Sequence, residues 1–294
     1  MELWLVNIPF QSGVLTDQLY ERALRCVSVE SQNKIKRFYR RQDAWRSLIG
    51  RLLIRTLLEE CDVPSHSVVL GATAAGKLYL ASPRLTPYLA FNITHDSSLV
   101  GMSYNRGDIK SDAEKVGVDV MKVALPGNET ISSFLEILRD QLSPLERSLL
   151  APIRPYSSSL SLPLPATDDE SLSRIFWIWT LKEAYTKALG IGLGFDFSRV
   201  EFNFLRDEVK VDGVLARGWE FRLFSLGLPP DNEGRTKAVT KDGLDLYQGV
   251  VATWIGGDEC RVTRTQYAAN GENQWYKMVT VQDIIGRATA PDAT

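Results

Sequence analysis

The strongest constraint on the fold is the way strand-like and helix-like runs alternate along the chain. Trp45, Leu48, Ile49, Leu52, Leu53 and Leu57 recur at helical spacing and make one apolar stripe, flanked by Arg46 and Arg55. A second helix is written in FWIWTLKEAYTKAL at 176–189. There Ile178, Leu181, Tyr185 and Leu189 form the stripe, while Lys182, Glu183, Thr186 and Lys187 fall on other faces. Gly190 follows where a helix end favours glycine. Strands are expected at SVVL (67–70), KLYLA (77–81), LAFNITH (89–95), LVGMSY (99–104) and KVGVDVM (115–121). More follow the second helix at RVEFNF, WEFRLFSL and YQGVVATWI. Residues 132–150 read as helical with a break at Ser143-Pro144. This interleaving predicts an α/β (α+β) protein in two halves joined near residues 105–115, divided here as 1–110 and 111–294. The Ser- and Pro-rich stretch 152–169 has no periodicity and reads as a flexible insertion.

At 294 residues, with 44% hydrophobic and 24% charged residues, the chain can bury a core for one large domain or two ordinary ones. Three cysteines, Cys26, Cys61 and Cys260, are odd in number and far apart, so they form no disulfide framework and suit a reducing compartment. MELWLVNIPF carries no basic leader region, and no run approaches the roughly 20 apolar residues that span a bilayer. A cytoplasmic protein without membrane association is therefore expected. Only two histidines, His66 and His95, are present, which excludes an HExxH protease and a Cys/His zinc finger. The net charge of -2 hides a basic segment from Arg22 to Arg55, interrupted only by Glu30 and Asp43. It serves either an anionic partner or simply a solvated helix face. Nucleic acid is disfavoured as that partner by the overall charge and the lack of any recognised module.

Several motifs mislead. Gly71-Ala-Thr-Ala-Ala-Gly76-Lys77 nearly fits a phosphate loop, but Leu78 stands where a Mg²⁺-binding hydroxyl is needed and the chain continues as a strand. Gly190-Ile-Gly192-Leu-Gly194 ends a helix where a dinucleotide fingerprint would open one. Two other features are sharper. In VGVDVM the valines alternate to one face and leave Gly117, Asp119 and Met121 on the other. Asp119 either faces water near the strand end or occupies a site that Gly117 leaves open. Glu183 and Lys187 are four apart, which fits a surface ion pair as well as a catalytic pair. Asp119 and Glu183 together could offer hard oxygen ligands to Mg²⁺, with Lys77, Lys182 and Lys187 balancing phosphate charge.

Gly117-Val118-Asp119 and the block from Trp179 through Lys182-Glu183-Ala184 to Lys187, with FNITH (91–95) upstream and GLGF (192–195) downstream, resemble the 4′-phosphopantetheinyl transferases of the surfactin-synthetase type. The resemblance runs from the N-terminal strand to about Phe204. It implies two similar subdomains in a pseudo-twofold monomer, with coenzyme A in the cleft between them. The implied activity is transfer of the phosphopantetheine arm of coenzyme A to a serine of an acyl, peptidyl or aryl carrier protein. Fatty acid synthase, polyketide or peptide synthetases and aminoadipate reductase all fit as owners of that carrier.

By the same resemblance, Asp119 and Glu183 bind the metal, Mg²⁺ or Mn²⁺. Glu183 is also the base, and Lys187 stabilises the pyrophosphate with Lys182 nearby. Thr94 and His95 hold the nucleotide end of coenzyme A, Lys34 and Arg46 reach its 3′-phosphate, and Gly76-Lys77 match a phosphate-side turn. The chain departs from the pattern at Met121, where a third acidic ligand is frequent and where a hydrophobic residue resembles the eukaryotic broad-specificity members. It departs again at Leu78, Ala72 and Ala75 around the turn. Those departures keep a second reading open, a coenzyme-A-binding regulator or scaffold without catalysis.

Overall fold

A computed structural model describes residues 1–64, 67–107, 115–150, 168–230, 238–265 and 275–289. Its elements begin with β1 (Glu2–Asn7), α1 (Asp17–Leu24), α2 (Val29–Ile35), α3 (Arg41–Glu59), β2 (Val69–Ala72), β3 (Leu78–Ser82), β4 (Tyr88–Asp96) and β5 (Leu99–Gly107). Next come β6 (Val116–Lys122), α4 (Ile131–Ile137), α5 (Pro144–Leu150), α6 (Asp168–Leu189), β7 (Val200–Asn203), β8 (Glu208–Val211) and β9 (Val214–Leu215). The chain continues through β10 (Trp219–Leu228), β11 (Asp245–Trp254), β12 (Arg261–Thr265), β13 (Tyr276–Met278) and α7 (Val281–Ala288). Two compact units result: Met1–Glu114 with Asn273–Thr294, and Lys115–Glu272.

In the first unit the sheet order is β13-β1-β5-β4, with β13 parallel to β1 and the other pairs antiparallel. The α3 stripe read from the sequence is its core: Trp45, Leu48, Ile49, Leu52, Leu53 and Leu57 are at most 2% exposed. They pack with Trp4, Val6, Phe91, Val100 and Met102 from alternate positions of β1, β4 and β5. Against the division expected at 1–110 and 111–294, the described residues 275–289 belong to the first unit. The reason is β13 on the sheet edge and α7 against α3. Val281, Ile284, Ile285 and Ala288 give α7 one apolar face, and Thr280 caps it by accepting from the Asp283 N–H.

In the second unit the order is β12-β10-β11-β6, with β12 parallel to β10 and the rest antiparallel. A three-stranded β7-β8-β9 sheet accompanies it. The run β6–β11–β10 repeats the order β1–β5–β4, and in each unit one long helix lies between the first strand and the hairpin that completes the run. The two subdomains are thus similar in topology. The helical stretch after residue 131 breaks as its Ser143-Pro144 pair predicts, into α4, a 3-10 turn at Arg139–Gln141 and α5. The insertion reading at 152–169 falls largely outside the described residues, though α6 already begins at Asp168. Among the described residues no helix is long and apolar enough to cross a membrane.

Candidate active site on β6 and α6

The site starts from a glycine. A Cβ on Gly117 would lie 2.1 Å from the Ala184 carbonyl oxygen and 2.3 Å from the Ala188 nitrogen, so only glycine lets β6 and the backbone of α6 touch here. Asp119 is two residues on and therefore shares that face. It is 6% exposed in the interior of β6, opposite Val250 of β11, and not at a wet strand end. Its Oδ1 accepts a hydrogen bond from Lys187 Nζ at 2.7 Å. Lys187 thus reaches across to the strand rather than serving only as a helical partner of Glu183.

Glu183 stands one turn before Lys187 on α6 and is partly buried. Burial pushes its carboxyl above the ordinary glutamate value, the Asp119 charge pushes it further, and Lys187 opposes both. A Glu183 carboxyl whose proton affinity the neighbouring Asp119 charge raises, with Lys187 bonded to Asp119, gives a pair of hard oxygen donors that suits a divalent ion keeping several waters. Among the described residues no group of three or more His, Cys, Asp and Glu side chains converges. Met121 instead packs on the apolar cluster of Val123, Leu125, Leu172 and Phe176.

Lys182 corrects an expectation. Its side chain is 1% exposed, and Nζ donates to Glu146 Oε2 at 2.6 Å, Gln141 O at 2.8 Å and Phe197 O at 2.9 Å. An ammonium has three protons to donate, and all are used. Lys182 therefore ties α6 to α5 and to two short turns, and is not available to phosphate. Glu146 spends its other bonds on the Ser143 and Phe202 amides.

The remaining predicted residues lie in the first unit. Arg46 on α3 donates through Nε to the Ser97 carbonyl and through a terminal nitrogen to Asp43, and its guanidinium sits 5.3 Å from the Phe10 ring centre. Ser97 is two residues past His95, so Arg46 is brought to the end of β4 that carries the exposed His95. Strand alternation separates the Thr94–His95 pair: Thr94 is buried at 4% exposure on the face opposite His95. Lys77 closes the β2–β3 hairpin. Its amide donates to Thr73 Oγ1, and Gly76 before it sits at φ +85°, which confirms a turn and not a phosphate loop. Lys34 is placed on α2 in an exposed pair with Glu30 at 2.7 Å.

Comparison with known proteins decides the family. Residues 15–106 match the N-terminal 4′-phosphopantetheinyl transferase family, and residues 115–225 match the 4′-phosphopantetheinyl transferase superfamily. A 4′-phosphopantetheinyl transferase of Paxillus involutus is 40% identical over 267 residues, 90% of this chain and 91% of its own length. This chain belongs to the 4′-phosphopantetheinyl transferase superfamily. The L-aminoadipate-semialdehyde dehydrogenase-phosphopantetheinyl transferase of Mus musculus is 31% identical over 184 residues, 62% of this chain and 54% of that protein. A Bacillus subtilis 4′-phosphopantetheinyl transferase is 28% identical over 201 residues, 68% of this chain and 76% of the relative. The superfamily match covers the whole of β6 and α6, where the transferase's Asp119, Glu183 and Lys187 meet. Glu146 is the residue of this transferase that sequence reasoning missed. Its signal was present as Ser143-x-x-Glu146, a capping box at the predicted break.

Proposed function

We propose that this chain transfers the 4′-phosphopantetheine group of coenzyme A to a serine of an acyl, peptidyl or aryl carrier protein. It acts with Mg²⁺, as a cytoplasmic monomer, and releases adenosine 3′,5′-bisphosphate. The observation that carries this reading is the Asp119–Lys187–Glu183 cluster. Asp119 and Glu183 are the residues that would hold the metal. When bound, Mg²⁺ supplies charge neutralisation on the pyrophosphate oxygens.

Glu183 is suited to take the serine proton, because a carboxyl held above its ordinary value is a stronger base once ionised. The serine oxygen then attacks the β-phosphorus, and the bond from that phosphorus to the departing nucleotide phosphate breaks. Lys187, positioned by Asp119, meets the charge that develops on the leaving oxygen. Arg46, Lys77 and His95 are assigned to the nucleotide end, with Gly76 shaping the turn that presents Lys77. Lys34 joins them only by giving up Glu30. The name of the mouse relative supports an aminoadipate-reducing enzyme as one owner of the carrier.

The roles are tested with Asp119→Ala and Glu183→Gln at saturating Mg²⁺. Each is expected to lose transfer by ~10² or more, the usual loss on removing a transition-state group. Undiminished turnover in both would overturn the assignment, and coenzyme A binding without transfer by the wild type would favour the scaffold reading.

A further inference from the structure

The basic segment noted in the sequence contains, around α2 and α3, both cations already engaged and a run of cations with no ion pair among the described residues. Lys34 is paired with Glu30, Arg46 with Asp43 and Ser97 O, and Arg55 with Glu59 and Cys26 O. Arg41 binds Asp17 at 2.7 Å and stacks on the Tyr20 ring. Between α2 and α3, however, residues 36–42 are exposed without interruption. Lys36, Arg37 and Arg40 stand there, and among the described residues they make no ion pair. Two aromatic side chains lie between them: Phe38 is 46% exposed and Tyr39 is 101% exposed.

This turn is held firmly. The Lys36 amide bonds to Gln32 O, Arg37 to Lys34 O and Phe38 to Ile35 O, while Ile35 and Trp45 anchor its two sides in the core. Adjacent exposed aromatics with unpaired cations are costly to keep on a surface for solubility alone. Aromatic residues and arginine are enriched in protein interfaces, where stiff rings bring much contact area at low entropy cost. Three free cations on a chain of net charge -2 make a poor track for a nucleic acid but suit the acidic face of a protein.

We propose that Lys36, Arg37, Phe38, Tyr39 and Arg40 form the docking surface for the carrier protein, with an acidic helix face on the cations and an apolar side chain of the carrier against Phe38 and Tyr39. This rests on the transfer reading above. The cations set the rate and orientation of encounter, and the rings set how long the carrier stays.

The test measures KM for apo carrier and for coenzyme A separately, over a range of NaCl, in Arg37→Glu/Arg40→Glu and in Tyr39→Ala. The charge reversal is expected to raise the carrier KM about tenfold and flatten its salt dependence. The coenzyme A KM should stay within about twofold, because none of the residues assigned to the nucleotide end is changed. Tyr39→Ala should raise the carrier KM with the salt dependence kept, and at full exposure it has no fold to disturb. A carrier KM unchanged in both variants would overturn the docking surface, as would an equal rise in both KM values, which assigns the patch to coenzyme A. Transfer by the wild type to no acceptor at all would instead sink the transfer reading itself.

Discussion

Replacing Gly117 by alanine tests the geometry of the site at its origin. The new Cβ would sit 2.1 Å and 2.3 Å from main-chain atoms of Ala184 and Ala188, more than an ångström inside ordinary contact at 3.4 Å. Both obstacles are backbone, so no rotamer change relieves them and α6 must move away from β6. Overpacking of this kind costs ~1–3 kcal/mol, a fall of several degrees in Tm. The catalytic cost is larger, since Asp119 lies on the strand and Glu183 and Lys187 on the helix. A misplacement of about 1 Å between reacting groups costs ~10²-fold in rate. Gly117→Ala should therefore fold, melt lower and lose kcat by about that factor, and Ala188→Gly should not rescue it because the clash is with main chain. Thermal unfolding by circular dichroism and single-turnover transfer measure the two effects. A Gly117→Ala protein with wild-type kcat would refute the argument that close strand–helix contact aligns the site.

Two further outcomes follow from groups in the same unit. Lys182→Met leaves Glu146 buried without its cation and should cost ~3–5 kcal/mol, while Lys182→Met with Glu146→Gln should recover part of it. Denaturant unfolding of the three proteins decides this, and a mild effect of Lys182→Met alone would mean the lysine is not a structural tie. Glu183 gives a pH signature in metal-free protein. Its folded carboxyl is raised, so the folded state binds this proton more tightly than the unfolded chain, and that contribution is present at low pH and lost as pH rises past the raised value. Glu183→Gln removes the penalty, so in EDTA its Tm relative to wild type should climb as pH rises from about 4 to 8. A constant difference across that range would contradict the burial and charge argument.

The sequence showed best what depends on short-range periodicity. The α3 stripe, the alternation in β6 and the break before Pro144 each follow from spacing within a few residues. Lys182 was misread because helical spacing says which face a residue occupies but not what covers it. Its partner Glu146 is 36 residues away, and α6 is enclosed by β6, β11 and α5 rather than lying with one face in water. The choice Lys187 makes between Glu183 and Asp119 was hidden for the same reason, since Asp119 is 68 residues distant. β13 is three residues long and pairs in parallel with the first strand of the chain, a contact no local pattern announces. Thr94 and His95 were grouped as neighbours in sequence, although a strand sends neighbours to opposite faces.

The most direct measurement is the intact mass of an apo acyl or peptidyl carrier protein after incubation with this chain, coenzyme A and Mg²⁺, with a parallel sample in EDTA. The account predicts a gain of one phosphopantetheine group that is lost with EDTA and with Glu183→Gln. No gain on either class of carrier, with coenzyme A still bound, would contradict it and leave the Asp119–Lys187–Glu183 cluster without the catalytic role assigned to it here.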